Sequence, residues 1–303
     1  METLRKKEID VFVKAKEAFD LVLNNKILWL LGAIYAVFGG TSSGYVLTGG
    51  NSSFGSFFNK GIRERININD FVFEDTVVNI GDKIDTWSKS GWFLLGALIC
   101  GLVLFVIGVV VIYMRIVWSS SIIYSVPKLI SGEKLDFVTA FKIGNKSILK
   151  VVMYELLLGF FAFVVAIVSL LTCCFSPIAI LVVFVVGGWL FLLGKIDMLI
   201  NNNDIFQSLE NVYSQIRSNF VLFLKYWVVN IVIGIAHSAV VGLVLIPTGI
   251  ICFLLVTMKL WFFIPMIVGV FPLLVAGISG PIISFALTYK TMFWIELTKS
   301  EMK

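Results

Sequence analysis

The feature that most limits this chain is the run Trp92–Trp118, which is apolar throughout except for Arg115. A helix of about 20 apolar residues is long enough to cross the hydrocarbon core of a bilayer, and it has no stable place in water. Similar runs occupy Ala18–Gly40, Val151–Leu171, Ser176–Ile200, Phe220–Ile246 and Phe271–Leu297. The remaining apolar stretch, Pro247–Val270, holds Lys259 and is punctuated by Pro247, Gly249, Pro265 and Gly269. It is expected to form a broken re-entrant hairpin, which a membrane tolerates where protein or a wet cavity surrounds the break. Composition agrees: hydrophobic residues make up 59% and charged residues 14%, against about 45–50% and 25% in soluble domains. A soluble enzyme, a disordered chain and a secreted disulfide scaffold are excluded. The expected fold is all-α, a polytopic bundle of about six spans plus the broken hairpin.

The chain reads as one membrane domain over 1–303. Residues 1–26 form a cytoplasmic amphipathic helix, 40–90 an extracytoplasmic loop rich in Gly, Ser and polar residues, and 91–303 the rest of the bundle. The mixed charges ahead of Ile27 argue against a signal peptide. Orientation follows from the basic residues, which gather in cytoplasmic segments. With both termini inside, most of them are cytoplasmic, including Arg5, Lys6, Lys7, Lys128, Lys134, Lys142, Lys146, Arg217 and Lys299. Lys60, Arg63, Arg65, Lys83, Lys89 and Lys259 fall outside. The expected location is the plasma membrane of a prokaryote. The net charge of +5 includes no dense basic run, so nucleic acid is not an expected partner.

Three segments that run into spans have apolar residues at helical spacing. The first is Met1–Asn24, with Val11, Phe12, Ala15, Ala18, Phe19 and Val22; the second is Leu135–Ile143. The third is Ile205–Ile216, where Ile205, Phe206, Leu209, Val212, Tyr213 and Ile216 share a face and Asp204 can cap the start. Such helices suit the cytoplasmic headgroup layer, where anionic lipid headgroups are the expected partners and a membrane-protein partner is a second possibility. The arrangement is a loose internal repeat of amphipathic helix, polar elbow and apolar span. Its copies are Ala18-Phe19 to Asn25-Lys26-Ile27-Leu28, Ala140-Phe141 to Asn145-Lys146-Ser147-Ile148-Leu149, and Ile205-Phe206 to Arg217-Ser218-Asn219-Phe220-Val221.

The order of these features resembles a group of bacterial and archaeal integral membrane proteins similar to the membrane domain of glycerophosphoryl diester phosphodiesterase. The likeness rests on the opening from Ala18-Phe19 to Gly32 and the Gly/Ser-rich loop after the first span. It rests also on the helices ending at Lys146 and at Arg217-Ser218-Asn219, and on the closing stretch Ser284–Lys290. The resemblance implies a six-helix membrane domain and carries no activity. The phosphodiesterase part found in some relatives is not expected here, since its chemistry would need more than the single His of these 303 residues.

Ionisable residues inside spans are costly and become candidates for function by default. Glu155 in the third span and Lys195 in the fourth come to similar depth and are expected to pair; Asp197 and Arg115 complete a candidate polar site. His237, the only histidine, and Lys259 are weaker candidates. Gly187-Gly188, and Gly96 with Gly101, would allow close helix approach. Cys100, Cys173, Cys174 and Cys252 lack metal-ligand spacing, and no phosphate loop, HExxH or GxSxG motif occurs. No cofactor, metal or catalytic residue is expected. The reading is a non-enzymatic membrane protein that organises lipids or partners. The alternative is a transporter or lipid-handling permease that uses the polar site.

Overall fold

The computed structural model of the protein describes residues 9–39, 91–172, 177–258 and 264–299. Among these residues the structure is all-helical. In chain order the helices are α1 (Val11–Asn24), α2 (Lys26–Gly39), α3 (Gly91–Ile130), α4 (Phe137–Lys146), α5 (Ile148–Thr172), α6 (Pro177–Ile200), α7 (Ile205–Ser218), α8 (Phe220–Thr257) and α9 (Ile264–Lys299). Three are long and apolar enough to cross a membrane, or five if the bent pairs α1–α2 and α4–α5 each count as one span. The six apolar runs of the sequence fall on α2, α3, α5, α6, α8 and α9. Apolar side chains exposed along these helices need lipid around them, and the chain is an integral membrane protein built as a helical bundle. The loop over 40–90 and Lys259 lie outside the described residues.

Of the stretch Pro247–Val270, expected to form a broken hairpin, the described residues up to Thr257 and from Ile264 are helical. Helix α8 runs through Pro247. Proline removes one backbone donor, whereas opening the helix in hydrocarbon would strand several polar groups. Beside Pro247, the Thr248 hydroxyl donates to the Val244 carbonyl at 2.8 Å.

The chain falls into two compact units, Met1–Gly50 with Tyr113–Lys303, and Asn51–Ile112. In the second unit the described residues are the first part of α3, an apolar helix with Leu98, Leu102 and Phe105 exposed.

The larger unit is organised around three elbows. Each short helix ends at a single polar residue, Asn25, Ser147 or Asn219, and a longer helix starts immediately after it. The bend is 95° at Asn25 and 53° at Ser147. A helix end leaves carbonyls without partners, and the elbow residues supply donors. Asn25 Nδ2 donates to the Leu21 carbonyl at 2.7 Å, and the Trp29 indole reaches back to the Val22 carbonyl at 2.8 Å. Ser147 Oγ donates to the Gly144 carbonyl at 2.9 Å, and Asn219 Nδ2 to Gln215 Oε1 at 3.1 Å. Counted from the elbow, the three copies share one register. Seven residues before it stand Ala18, Ala140 and Val212, and three before it Val22, Gly144 and Ile216, all buried. Seven residues after it stand Gly32, Tyr154 and Tyr226, also buried.

Each copy continues as an apolar helix and a return helix: α2 and α3, α5 and α6, α8 and α9. The short helix of one copy packs on the return helix of another. On α3, Ser121 Oγ donates to the Ala140 carbonyl of α4 at 2.8 Å, and Trp118 packs on Phe137 and Phe141 at 5.1 and 5.3 Å. On α6, Asp197 holds Asn211 of α7. On α9, Phe285 meets Phe19 of α1 edge-on at 5.7 Å, and Glu296 pairs with Lys14 at 3.5 Å.

Small residues permit the closest contact. Gly32 of α2 lies against Gly280 of α9, and Ser284 Oγ donates to the Leu28 carbonyl. A Cβ at Gly144 would collide with α3 at Val117 and Ser121, and one at Gly194 with the Tyr154 ring. Gly96, Gly101 and Gly187, expected to serve this purpose, have open space where a Cβ would stand. Between α8 and α9 the contact is aromatic, with Tyr226 stacked on Phe293 at 4.5 Å and on Tyr289 at 5.7 Å.

Burial is concentrated at the elbow end. Along α5, Val151 and Tyr154 are buried, while Leu156, Phe160, Phe161 and Phe163 are exposed. Along α9, Leu273 and Leu274 are exposed, whereas Ala286, Leu287, Tyr289, Phe293 and Trp294 are buried.

Candidate functional site

A polar cluster lies where the buried core meets the exposed apolar stretches. Tyr154, one residue before Glu155, seats its ring on Gly194 and donates to the Leu190 carbonyl at 2.6 Å. That contact fixes the register of α5 against α6. It brings Glu155 Oε1 to 2.9 Å from Lys195 Nζ, so the pair expected from the sequence is present. Lys195 also donates to Ser119 Oγ of α3 at 3.0 Å. One turn earlier on α3, the Arg115 guanidinium hydrogen-bonds the Tyr35 hydroxyl of α2, and the charge of Glu155 acts on the same hydroxyl. Four helices therefore converge: α2, α3, α5 and α6. Lys195 is 5% exposed, while the Glu155 side chain keeps 22% of its surface open. A buried ion pair survives desolvation only when further polar contacts help hold it, and Ser119 supplies one for the ammonium.

Asp197 belongs to a different structure. Residues two apart on a helix do not face each other, so Asp197 points away from Lys195. Its Oδ1 accepts from the Trp294 indole at 3.0 Å and from Asn201 at 2.6 Å. Its Oδ2 accepts from Asn203 at 2.9 Å and Asn211 at 3.3 Å. Fully buried, it ties α6, the turn after it, α7 and α9 into one joint.

His237 of α8 is 1% exposed and faces protein. Among the described residues neither ring nitrogen has a hydrogen-bond partner, nor does the Asn230 Oδ1 two turns away. A general base needs a group that holds its tautomer and a proton within reach; among the described residues no group hydrogen-bonds either nitrogen of His237. Burying polar atoms without partners costs stability. His237→Phe is expected to raise stability by about 1–3 kcal/mol, read from unfolding in detergent. A fall of similar size would mean that the nitrogens are satisfied.

Tyr35 and Ser119 were not singled out from the sequence. Tyr35 is hidden inside the first apolar run, and its only signal is a hydroxyl in otherwise apolar surroundings. Ser119 opens the run Ser119-Ser120-Ser121, the first polar residues after the long apolar stretch of α3. Lys290 is 5% exposed within α9. Among the described residues no three His, Cys, Asp or Glu side chains converge in a way that could hold a metal ion.

The chain matches no protein-family model, no curated protein and no solved structure. What the cluster can do chemically is set by its own groups: two cations, one carboxylate and two hydroxyls, partly open at Glu155.

Proposed function

We propose that the protein is a non-enzymatic membrane protein that organises lipids, and any membrane partner recruited with them, at the cytoplasmic face of the plasma membrane. Both termini lie on that side in this reading, and α1, α4 and α7 lie in the headgroup layer. The observation that carries it is the pairing of exposed apolar and basic side chains around each elbow. Phe12 and Phe19 accompany Lys26, Val138 accompanies Lys146, and Phe206 with Tyr213 accompanies Arg217. Apolar side chains that insert just below the headgroups, beside cations that attract anionic lipid, are the mark of a helix lying in the interface. Each basic residue near such a surface contributes about 1 kcal/mol. Spin labels at positions 12, 138 and 206 in reconstituted vesicles test the reading. All three are expected to report depths at the headgroup–acyl boundary. Labels that behave like those on a water-exposed loop would remove the basis for it.

A second reading, a transporter or lipid-handling permease, is favoured by the ionisable cluster inside the bundle. Glu155→Gln is the discriminating variant: a transporter loses flux in liposomes, whereas a lipid organiser shows no flux to lose.

A further inference from the structure

The exposed stripes of α1 and α7 are built alike but differ in charge. On α7, Phe206, Glu210, Tyr213 and Arg217 follow one another at helical spacing, and all are exposed. Residues three or four apart are neighbours on a helix, so the side chains form one line with Tyr213 between the carboxylate and the guanidinium. Phe206 and Tyr213 are 72% and 56% exposed. Glu210 and Arg217 enter none of the ion pairs among the described residues. On α1 the same line, counted from the elbow, is Phe12, Lys16, Phe19 and Leu23, also exposed. Nine residues before the elbow the three copies therefore hold Lys16, Val138 and Glu210. A lysine beside aromatic side chains suits anionic headgroups. A carboxylate at the same depth repels them and offsets Arg217, so the α7 stripe is complementary to a headgroup with both charges. A carboxylate accepts strongly from an ammonium, a phenol ring attracts one over its face, and a guanidinium matches phosphate oxygens. The Glu210 and Arg217 backbones are about 10 Å apart along the helix. Their side chains, reaching towards each other across Tyr213, narrow that gap to the size of one headgroup.

We propose that α7 binds a zwitterionic phospholipid with a primary ammonium, of the phosphatidylethanolamine class. The ammonium donates to Glu210 and lies on the Tyr213 ring, the phosphate accepts from Arg217, and Phe206 sits among the upper acyl carbons. The proposal rests on the lipid-organising reading and names the lipid class for one of its three elbows.

The test is photocross-linking of the full protein with benzoylphenylalanine at position 206, in nanodiscs of phosphatidylethanolamine and phosphatidylcholine in equal amounts with matched chains. The two headgroups share a phosphate and a positive charge, and only the first has N–H donors. Mass spectrometry of the adducts counts each lipid. The protein with Glu210 in place is expected to favour phosphatidylethanolamine by about threefold, the effect of one exposed charged contact. Glu210→Gln, an exposed change that the fold tolerates, brings the ratio to one, and Glu210→Asp keeps it above one. The same probe at position 12 of α1, where Lys16 stands in the place of the carboxylate, is expected to show a ratio of one. With phosphatidylglycerol added, that position favours the anionic lipid and position 206 does not. A ratio of one at position 206 overturns the proposal. A preference that survives Glu210→Gln, or appears equally at position 12, overturns it too, because it then belongs to the bilayer and not to the carboxylate. Spin labels at headgroup depth combined with a ratio of one sink this inference alone. Labels at position 206 that report water remove the elbow reading with it.

Discussion

Valine at Gly280 is expected to cost about 3 kcal/mol and to loosen α2 from α9, since overpacking against a rigid neighbour typically costs 1–3 kcal/mol and more where nothing can move aside. A Cβ at this position would stand 2.5 Å from the Ala33 nitrogen and 2.6 Å from its Cα. These are backbone atoms, and a backbone inside a helix cannot shift alone. The opposing Gly32 is equally confined, by the Gly280 carbonyl and by Ser284, whose hydroxyl is committed to the Leu28 carbonyl. In lipid there is little hydrophobic gain from joining two helices, so close backbone packing carries much of the association. Denaturant titration in detergent micelles measures the loss. Gly277→Ala is the control: it lies one turn away on the same helix with open space around it, and it is expected to be neutral or stabilising by up to about 1 kcal/mol through helix propensity. If Gly280→Val melts with the wild type, the close approach of α2 to α9 is wrong.

Asp197→Ala is expected to be at least as damaging. The substitution leaves the Trp294 indole buried without an acceptor and removes the bonds from Asn201, Asn203 and Asn211. A hydrogen bond to a charged group is worth about 1.5–3 kcal/mol, and an orphaned buried donor adds its own penalty. A loss of about 4 kcal/mol follows if even two of these terms survive relaxation. Asp197→Asn, which keeps one acceptor oxygen, should recover part of it. Trp294 fluorescence provides a local readout, because its indole changes from bonded to free in the alanine variant only. An Asp197→Ala protein of undiminished stability would mean that the four donors have other acceptors.

The fold was legible where one physical rule dominates. The apolar runs Trp92–Trp118 and Phe220–Ile246 are stable only as helices in lipid, and both are helical. The pairing of Glu155 with Lys195 followed from hairpin geometry and from the cost of a lone charge at that depth. The elbows were legible as an arrangement, but their register was not. Asn145-Lys146 has the strongest polar signature in the second copy, yet the chain bends at Ser147, and only with that residue as reference do Ala18, Ala140 and Val212 align. Which glycines touch was not legible either. Gly96, Gly101 and Gly187 are indistinguishable in composition from Gly32 and Gly280, and only the packing partner tells them apart. Asp197 seemed part of the Lys195 site because two residues are close in sequence, although a helix turns them to different sides. Pro247 seemed a break because in water it would be one; in hydrocarbon, the helix on both sides of it is worth more than the single bond it removes.

Because each short helix is held by another copy's return helix, and α1 by α9, the first described helix is matched with the last. During translation the cover over Ala18 and Phe19 is completed only when Phe285 and its neighbours have entered the membrane. The first elbow must therefore wait at the bilayer surface while the rest of the protein is inserted. The bundle locks in one late step that joins the two ends of the described chain, and a protein cut between α6 and α7 and expressed as two pieces retains every surface needed to reassemble.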